Sequence, residues 1–227
     1  ATANRGTAKV KYVRKKEKEA SPDSALLRKE FKRFFGSVNY MLNCGLGLIF
    51  MVIGAVVILV KQGTIKEILA QMEGYQDFVY LLVAAGICMI TSMNDMTAPS
   101  ISLEGKNLWL IKSLPVTSKQ ILNAKLKMHL ILTIVPTVLL VGCVEWVITP
   151  TVPFAVLILM VSCLFVILMA ELGLIANLKM PNFTWKDETV PIKQSAGVMI
   201  ALFGGWVLVI LLCVLYFLVR SIFTPLL

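Results

Sequence analysis

The stretch that decides the fold is His129-Leu-Ile-Leu-Thr-Ile-Val-Pro-Thr-Val-Leu-Leu-Val-Gly-Cys-Val-Glu-Trp-Val-Ile148 with the apolar block behind it, Pro153-Phe-Ala-Val-Leu-Ile-Leu-Met-Val-Ser-Cys-Leu-Phe-Val-Ile-Leu-Met-Ala-Glu-Leu-Gly-Leu-Ile-Ala-Asn177. Only Thr149-Pro150-Thr151-Val152 separates them. A hydrocarbon core of ~30 Å needs ~20 helical residues at ~1.5 Å each. Each block is long enough, so the pair reads as two membrane spans joined by a tight turn.

Three more blocks extend the pattern: Tyr40–Val60, Phe78–Met96 and Val198–Val219. The second is the weakest, because Thr91, Ser92, Asn94 and Asp95 make its last turns polar. The composition agrees. Hydrophobic residues make up 58% of the 227, charged residues only 15%, and the mean hydropathy is +0.82. A soluble domain is nearer half apolar and about a quarter charged. The fold class expected is all-α: a polytopic helical membrane protein with five spans.

Charge orients it. Nineteen of the 22 Lys and Arg residues fall in 1–39, 97–128 and 178–197, leaving Lys61, Lys66 and Arg220 on the other side. By the positive-inside rule the N-terminus and the 97–128 loop face the cytoplasm, and the C-terminus lies outside. The net charge of +9 therefore points to an anionic membrane leaflet, not to nucleic acid. Cys44, Cys88, Cys143, Cys163 and Cys213 all lie inside spans without metal-ligand spacing, and read as packing residues.

Two domains are expected. Residues 1–20 form a basic disordered leader, with Arg14, Lys15, Lys16 and Lys18 interrupted only by Glu17 and Glu19. Residues 21–227 form the transmembrane domain. At its start, Ser21-Pro22 opens a helix. Leu27, Phe31, Phe34, Phe35 and Val38 recur at helical spacing opposite Arg28, Lys29, Lys32 and Arg33. That is an in-plane amphipathic helix before the first span, or else a charged flank that stops it.

The cytoplasmic loop carries an unusual apolar run, Leu108-Trp-Leu-Ile111 with Leu114, ended by Pro115. Thr117 and Gln120 then have capping-box spacing for a helix leading into the third span. Such an exposed apolar stretch needs lipid or a protein partner.

The run Ile101-Ser-Leu-Glu-Gly-Lys-Asn-Leu-Trp-Leu-Ile-Lys-Ser-Leu-Pro-Val116 and the later Asn177-Leu-Lys-Met-Pro-Asn-Phe-Thr-Trp-Lys-Asp-Glu-Thr-Val-Pro-Ile-Lys-Gln-Ser195 resemble segments of bacterial ABC-2 type exporter permeases, a group common in Firmicutes. The resemblance covers roughly 25–225. It implies a permease subunit of an exporter in the bacterial inner membrane, driven by a separate cytosolic ABC ATPase subunit. It also implies that this chain is the C-terminal half of a longer permease, with a second half or a homodimer completing it. Carried over by position, Glu104, Gly105, Lys106, Trp109, Lys112, Leu114 and Pro115 are the ATPase-docking set.

Other residues are weighed on their own chemistry. Glu145 and Glu171 lie in spans and are either boundary anchors or parts of a substrate path; an ionised group at the midplane costs at least a few kcal/mol. Gly197, Ala201 and Gly205 recur every fourth residue and allow close helix packing. Pro136 falls inside the third span. No phosphate loop, H-E-x-x-H or other catalytic motif occurs in the sequence, so no enzyme activity, cofactor or metal of the chain's own is expected. Two further readings are a membrane scaffold that docks a cytosolic partner without transport, and an ion-coupled secondary transporter. The latter would want midplane carboxylates and inverted repeats.

Overall fold

A computed structural model describes residues 21–72 and 74–223, together with all side chains in those ranges except 106 and 221–223. The expected leader at 1–20 lies outside the described residues. The protein is 82% helical, with no strand among the described residues.

Among the described residues ten α-helices follow one another: α1 (Pro22–Gly36), α2 (Val38–Cys44), α3 (Leu46–Val60), α4 (Gln62–Gln71), α5 (Gln76–Ser92), α6 (Leu108–Lys112), α7 (Ser118–Ile148), α8 (Val152–Lys179), α9 (Thr189–Lys193) and α10 (Ala196–Phe223). A 3₁₀ segment, Ser102–Asn107, precedes α6. Helix α7 packs against α1, α3 and α8, and α8 packs in turn against α5 and α10.

Among the described residues three stretches are long and apolar enough to cross a membrane: α7, α8 and Thr189–Arg220. The expectation of five spans is corrected at two places. The first expected span is two helices, α2 and α3, bent by 57°. The bend falls at Gly45, where a Cβ would stand 2.7 Å from the Met41 carbonyl oxygen and 2.9 Å from the Phe34 ring. Counted as one, this bent pair is a fourth crossing. The second expected span stops at Ser92. Its 17 residues reach only about 26 Å, because Asn94 and Asp95 belong to a non-helical run that turns into the protein. Helix α7 begins eleven residues before the apolar block does, and its 31 residues run through Pro136.

Outward faces of the long helices are apolar. Val135, Leu139, Leu164 and Leu211 are each more than half exposed. A helix satisfies its backbone internally and tolerates lipid on such a face. Inside, Met51, Tyr80, Ile87, Leu140 and Val144 form one cluster. Phe34, Tyr40, Cys44, Met96, Met128 and Ile192 form another nearer the basic end. All five cysteines are free thiols.

Helix α1 forms over the stretch where the amphipathic helix is expected. Ser21 caps it as the sequence implies, accepting from the Ser24 N–H. Its buried stripe, however, is Leu26, Glu30 and Phe34, packed on α7. The residues from 94 to 105 form a buried strap in which only Ile101 is partly open. The first part of the 97–128 segment is therefore packed into the protein.

Candidate functional site

The strap is held by side chains that the sequence scatters widely. Thr97 Oγ1 donates to the Ala170 carbonyl oxygen at 2.8 Å. Asn177, near the end of α8, accepts from the backbone N–H groups of Ile101 and Ser102 at 2.8 and 2.9 Å. It also donates to Ser102 Oγ at 2.8 Å. Trp185 Nε1 donates to the Ser102 carbonyl oxygen at 2.7 Å. The Tyr40 hydroxyl donates to the Met96 carbonyl oxygen. Buried backbone groups need such partners where no ladder supplies them.

The strap leads into a buried ionic cluster. Lys125, on the first turns of α7, is fully buried. Its ammonium sits 2.8 Å from Glu104, 3.1 Å from Glu30 and 2.9 Å from the Ser100 carbonyl oxygen. Glu104 also meets Lys29 at 2.8 Å and Arg33 at 2.6 Å. Burial alone pushes the Glu104 carboxyl up; the Arg33 guanidinium and the Lys125 ammonium outweigh it and hold it well below the usual carboxylate range. Burial opposes the charge on Arg33, but Glu104 prevails and raises it. The cluster therefore joins α1, the 3₁₀ segment and α7 at the basic end of the bundle.

Beyond the cluster the chain turns at Gly105, whose φ of +49° is a left-handed conformation suited to glycine. A Cβ there would stand 2.9 Å from the Trp185 ring. Helix α6 and the turn after it then project an apolar face outward: Trp109 is 67% exposed, Leu110 51% and, in the turn, Leu114 43%. Ile111 points inward and fastens the helix. The capping box restarts the chain, with Thr117 and Gln120 each accepting from the other's backbone N–H.

The sequence-derived residues thus fall into separate places. Of the docking set, Trp109, Lys112, Leu114 and Pro115 are exposed, whereas Glu104 and Gly105 are buried beneath them. The side chain of Lys106 lies outside the described residues. Glu145 and Glu171 are not brought together. Glu145 is near the turn that joins α7 to α8, and Glu171 is exposed about 24 Å further along α8. On α10, Cβ atoms at Gly197 and Gly205 would stand 3.3 Å from the Ala98 carbonyl oxygen and 2.8 Å from Met169 and Ser92, with Ala201 fully buried between them.

Sequence reasoning missed Glu30, Lys125, Ser102, Asn177 and Trp185. Two signals were present. Glu30 interrupts the apolar stripe of α1 at the i+4 position between Leu26 and Phe34, and Asn177 is a lone amide near the end of the largely apolar α8.

A family model described as "Putative ATP-binding cassette" matches residues 18–224. No curated protein and no solved structure matches. The family's description names the ATP-binding cassette, not an ABC-2 permease. It overturns the identification of the chain as an ABC-2 exporter permease, and with it the export function derived from that resemblance. The description also sets ATP beside a chain expected to have no enzymatic role. The sequence has no phosphate loop, and the described residues contain no strand to lead into one. What the match carries is an ABC transporter context, and on its extent the chain belongs to the family described as Putative ATP-binding cassette.

Proposed function

We propose that the chain is the membrane-embedded docking component of an ATP-binding cassette system, and that α6 is where a cytosolic nucleotide-binding partner attaches. The observation that carries this reading is the exposed apolar face of Trp109, Leu110 and Leu114 on α6 and the turn after it, seated on a buried ionic base. A flexible loop pays ordering entropy on binding; a face already fixed by Glu104, Lys125 and Trp185 does not. Exposed aromatic residues are common energetic centres of interfaces. Pro115 ends the face, and Lys112 supplies charge at its rim.

In this reading the basic end of the bundle faces the cytoplasm of a cell membrane. Arg28, Lys32, Lys112, Lys119 and Lys127 are exposed there and meet an anionic leaflet.

The test is co-purification of the full chain from its native membrane, with and without Trp109→Ala and Leu114→Ala together. Both side chains are exposed, so the fold should keep its melting temperature within a degree or two. Recovery of an ATP-binding cassette protein with the wild type, reduced at least about tenfold in the double variant, supports the reading. Equal recovery with both proteins, or recovery of no such partner with either, overturns it.

A further inference from the structure

A second feature lies on another side of the bundle and does not rest on the docking reading. Where α2 bends into α3, a cavity of about 310 Å³ opens between that bend, the strap, α9 and the first turns of α10. Asp95 lines it. This side chain is 5% exposed, and its Oδ1 has no hydrogen-bond partner among the described residues. A buried acceptor left unmade is costly, and a buried carboxylate more so. The neighbouring polar groups do not resolve it. Asn43, also on the lining, spends its amide N–H on Asn39, at 2.7 Å to both the backbone and side-chain oxygens, so that what it can offer a ligand is its side-chain oxygen, an acceptor. The remaining wall is largely apolar, with Leu202 and the half-exposed Phe203 on α10. Lys193, exposed on α9, is the cation on the lining.

These chemistries have one common complement. An ammonium carries N–H donors for the Asp95 carboxylate and the Asn43 oxygen. A phosphate next to it pairs with Lys193. An acyl or alkyl chain lies over Leu202 and Phe203, toward the face that the bundle turns to lipid. The volume is at the lower end of what small-molecule sites use and suits a headgroup rather than a whole lipid. We infer that the cavity binds the primary-ammonium head of an amphiphile, with Asp95 as its counter-charge. A membrane phospholipid bearing ethanolamine and a free long-chain amine share this chemistry.

The test is native mass spectrometry of the detergent-solubilised full chain, titrated separately with phosphatidylethanolamine, phosphatidylglycerol and dodecylamine. Binding of an ammonium-bearing probe at least about tenfold tighter than phosphatidylglycerol, lost by about the same factor in Asp95→Asn, supports the inference. If both ammonium probes bind, Lys193→Ala should weaken phosphatidylethanolamine and spare dodecylamine. Phosphatidylethanolamine alone assigns the site to membrane lipid; dodecylamine alone assigns it to a free amine. Should Asp95→Asn not fold, Leu202→Trp fills the cavity while keeping the carboxylate, and the same loss is expected. Equal binding of phosphatidylglycerol, or binding unchanged in the variant that folds, overturns the assignment.

Discussion

Replacing Lys125 with Met keeps an unbranched side chain, one atom shorter, and removes its charge from a place that water does not reach. The ammonium makes two ion contacts, at 2.8 and 3.1 Å. With an effective dielectric of ~20, a unit pair at about 3 Å is worth roughly 5 kcal/mol before desolvation is charged against it. Glu104 loses least, since Lys29 and Arg33 remain within 2.8 Å of it. Glu30 loses most. It keeps only Lys29 at 3.5 Å and Arg33 at 3.9 Å, while its Oε2 already has no hydrogen bond. Breaking a buried pair from one side typically costs 3–5 kcal/mol, and Lys125→Met is expected to cost about that much. The assay is unfolding in mixed detergent micelles, with SDS as denaturant and tryptophan fluorescence as signal. A second variant isolates the cause: Lys125→Met with Glu30→Leu removes the orphaned carboxylate and should recover more than half of the loss. A cost below about 1 kcal/mol for the single variant, or no recovery in the double one, would refute the view that a paired charge holds α1 to α7.

Other outcomes follow from close contacts and charge. Gly47→Ala places a Cβ 2.6 Å from the Ile90 carbonyl oxygen and from the Asn94 amide, and backbone cannot yield as a side chain does. A loss of about 1–3 kcal/mol is expected in the same unfolding assay. Gly105→Ala forces a side chain into a left-handed turn against Trp185 and should cost about 1–3 kcal/mol. Hydrogen exchange should quicken in 102–112 more than in α8. The acid limb of stability should trace to Glu104. Its carboxyl is held below the ordinary value of 4.5, so its contribution is complete above that pH and is lost as pH falls toward the depressed value. Melting temperature should therefore drop between pH 4.5 and about pH 2.5, and Glu104→Gln, already weakened at neutral pH, should show a shallower drop.

Apolar run length exposed the helical class and the α7–α8 hairpin, because a block too long for a soluble core has few other homes. It did not expose where helices begin and break. Helix α7 starts at its capping box rather than at its apolar block, and the bend at Gly45 depends on Phe34, eleven positions away in another helix. The polar turns around Asn94 and Asp95 were visible as an irregularity, but not their fate. Partners such as Ala170 and Asn177 lie more than 70 residues ahead in the chain, beyond the reach of any local pattern. The structure leaves the side chains of Trp109, Leu110 and Leu114 exposed, and that apolar run was legible in the sequence. The ionic base beneath it was not, since Lys125 looks like any loop lysine until α1 closes over it.

The strap also has a mechanical consequence. Its Thr97 hydroxyl holds α8 at Ala170, its backbone meets α8 again at Asn177, and its Ala98 lies against Gly197 at the start of α10. From Asn94 to Gly105 nearly every residue is buried, so no water stands ready to replace a broken bond. Such a segment has no slack: it opens as one unit or stays shut. A tug on Trp109 would therefore be delivered to the middle of the bundle as if along a stiff rod. Equally, a tilt between α8 and α10 would change the angle at which α6 meets the solvent.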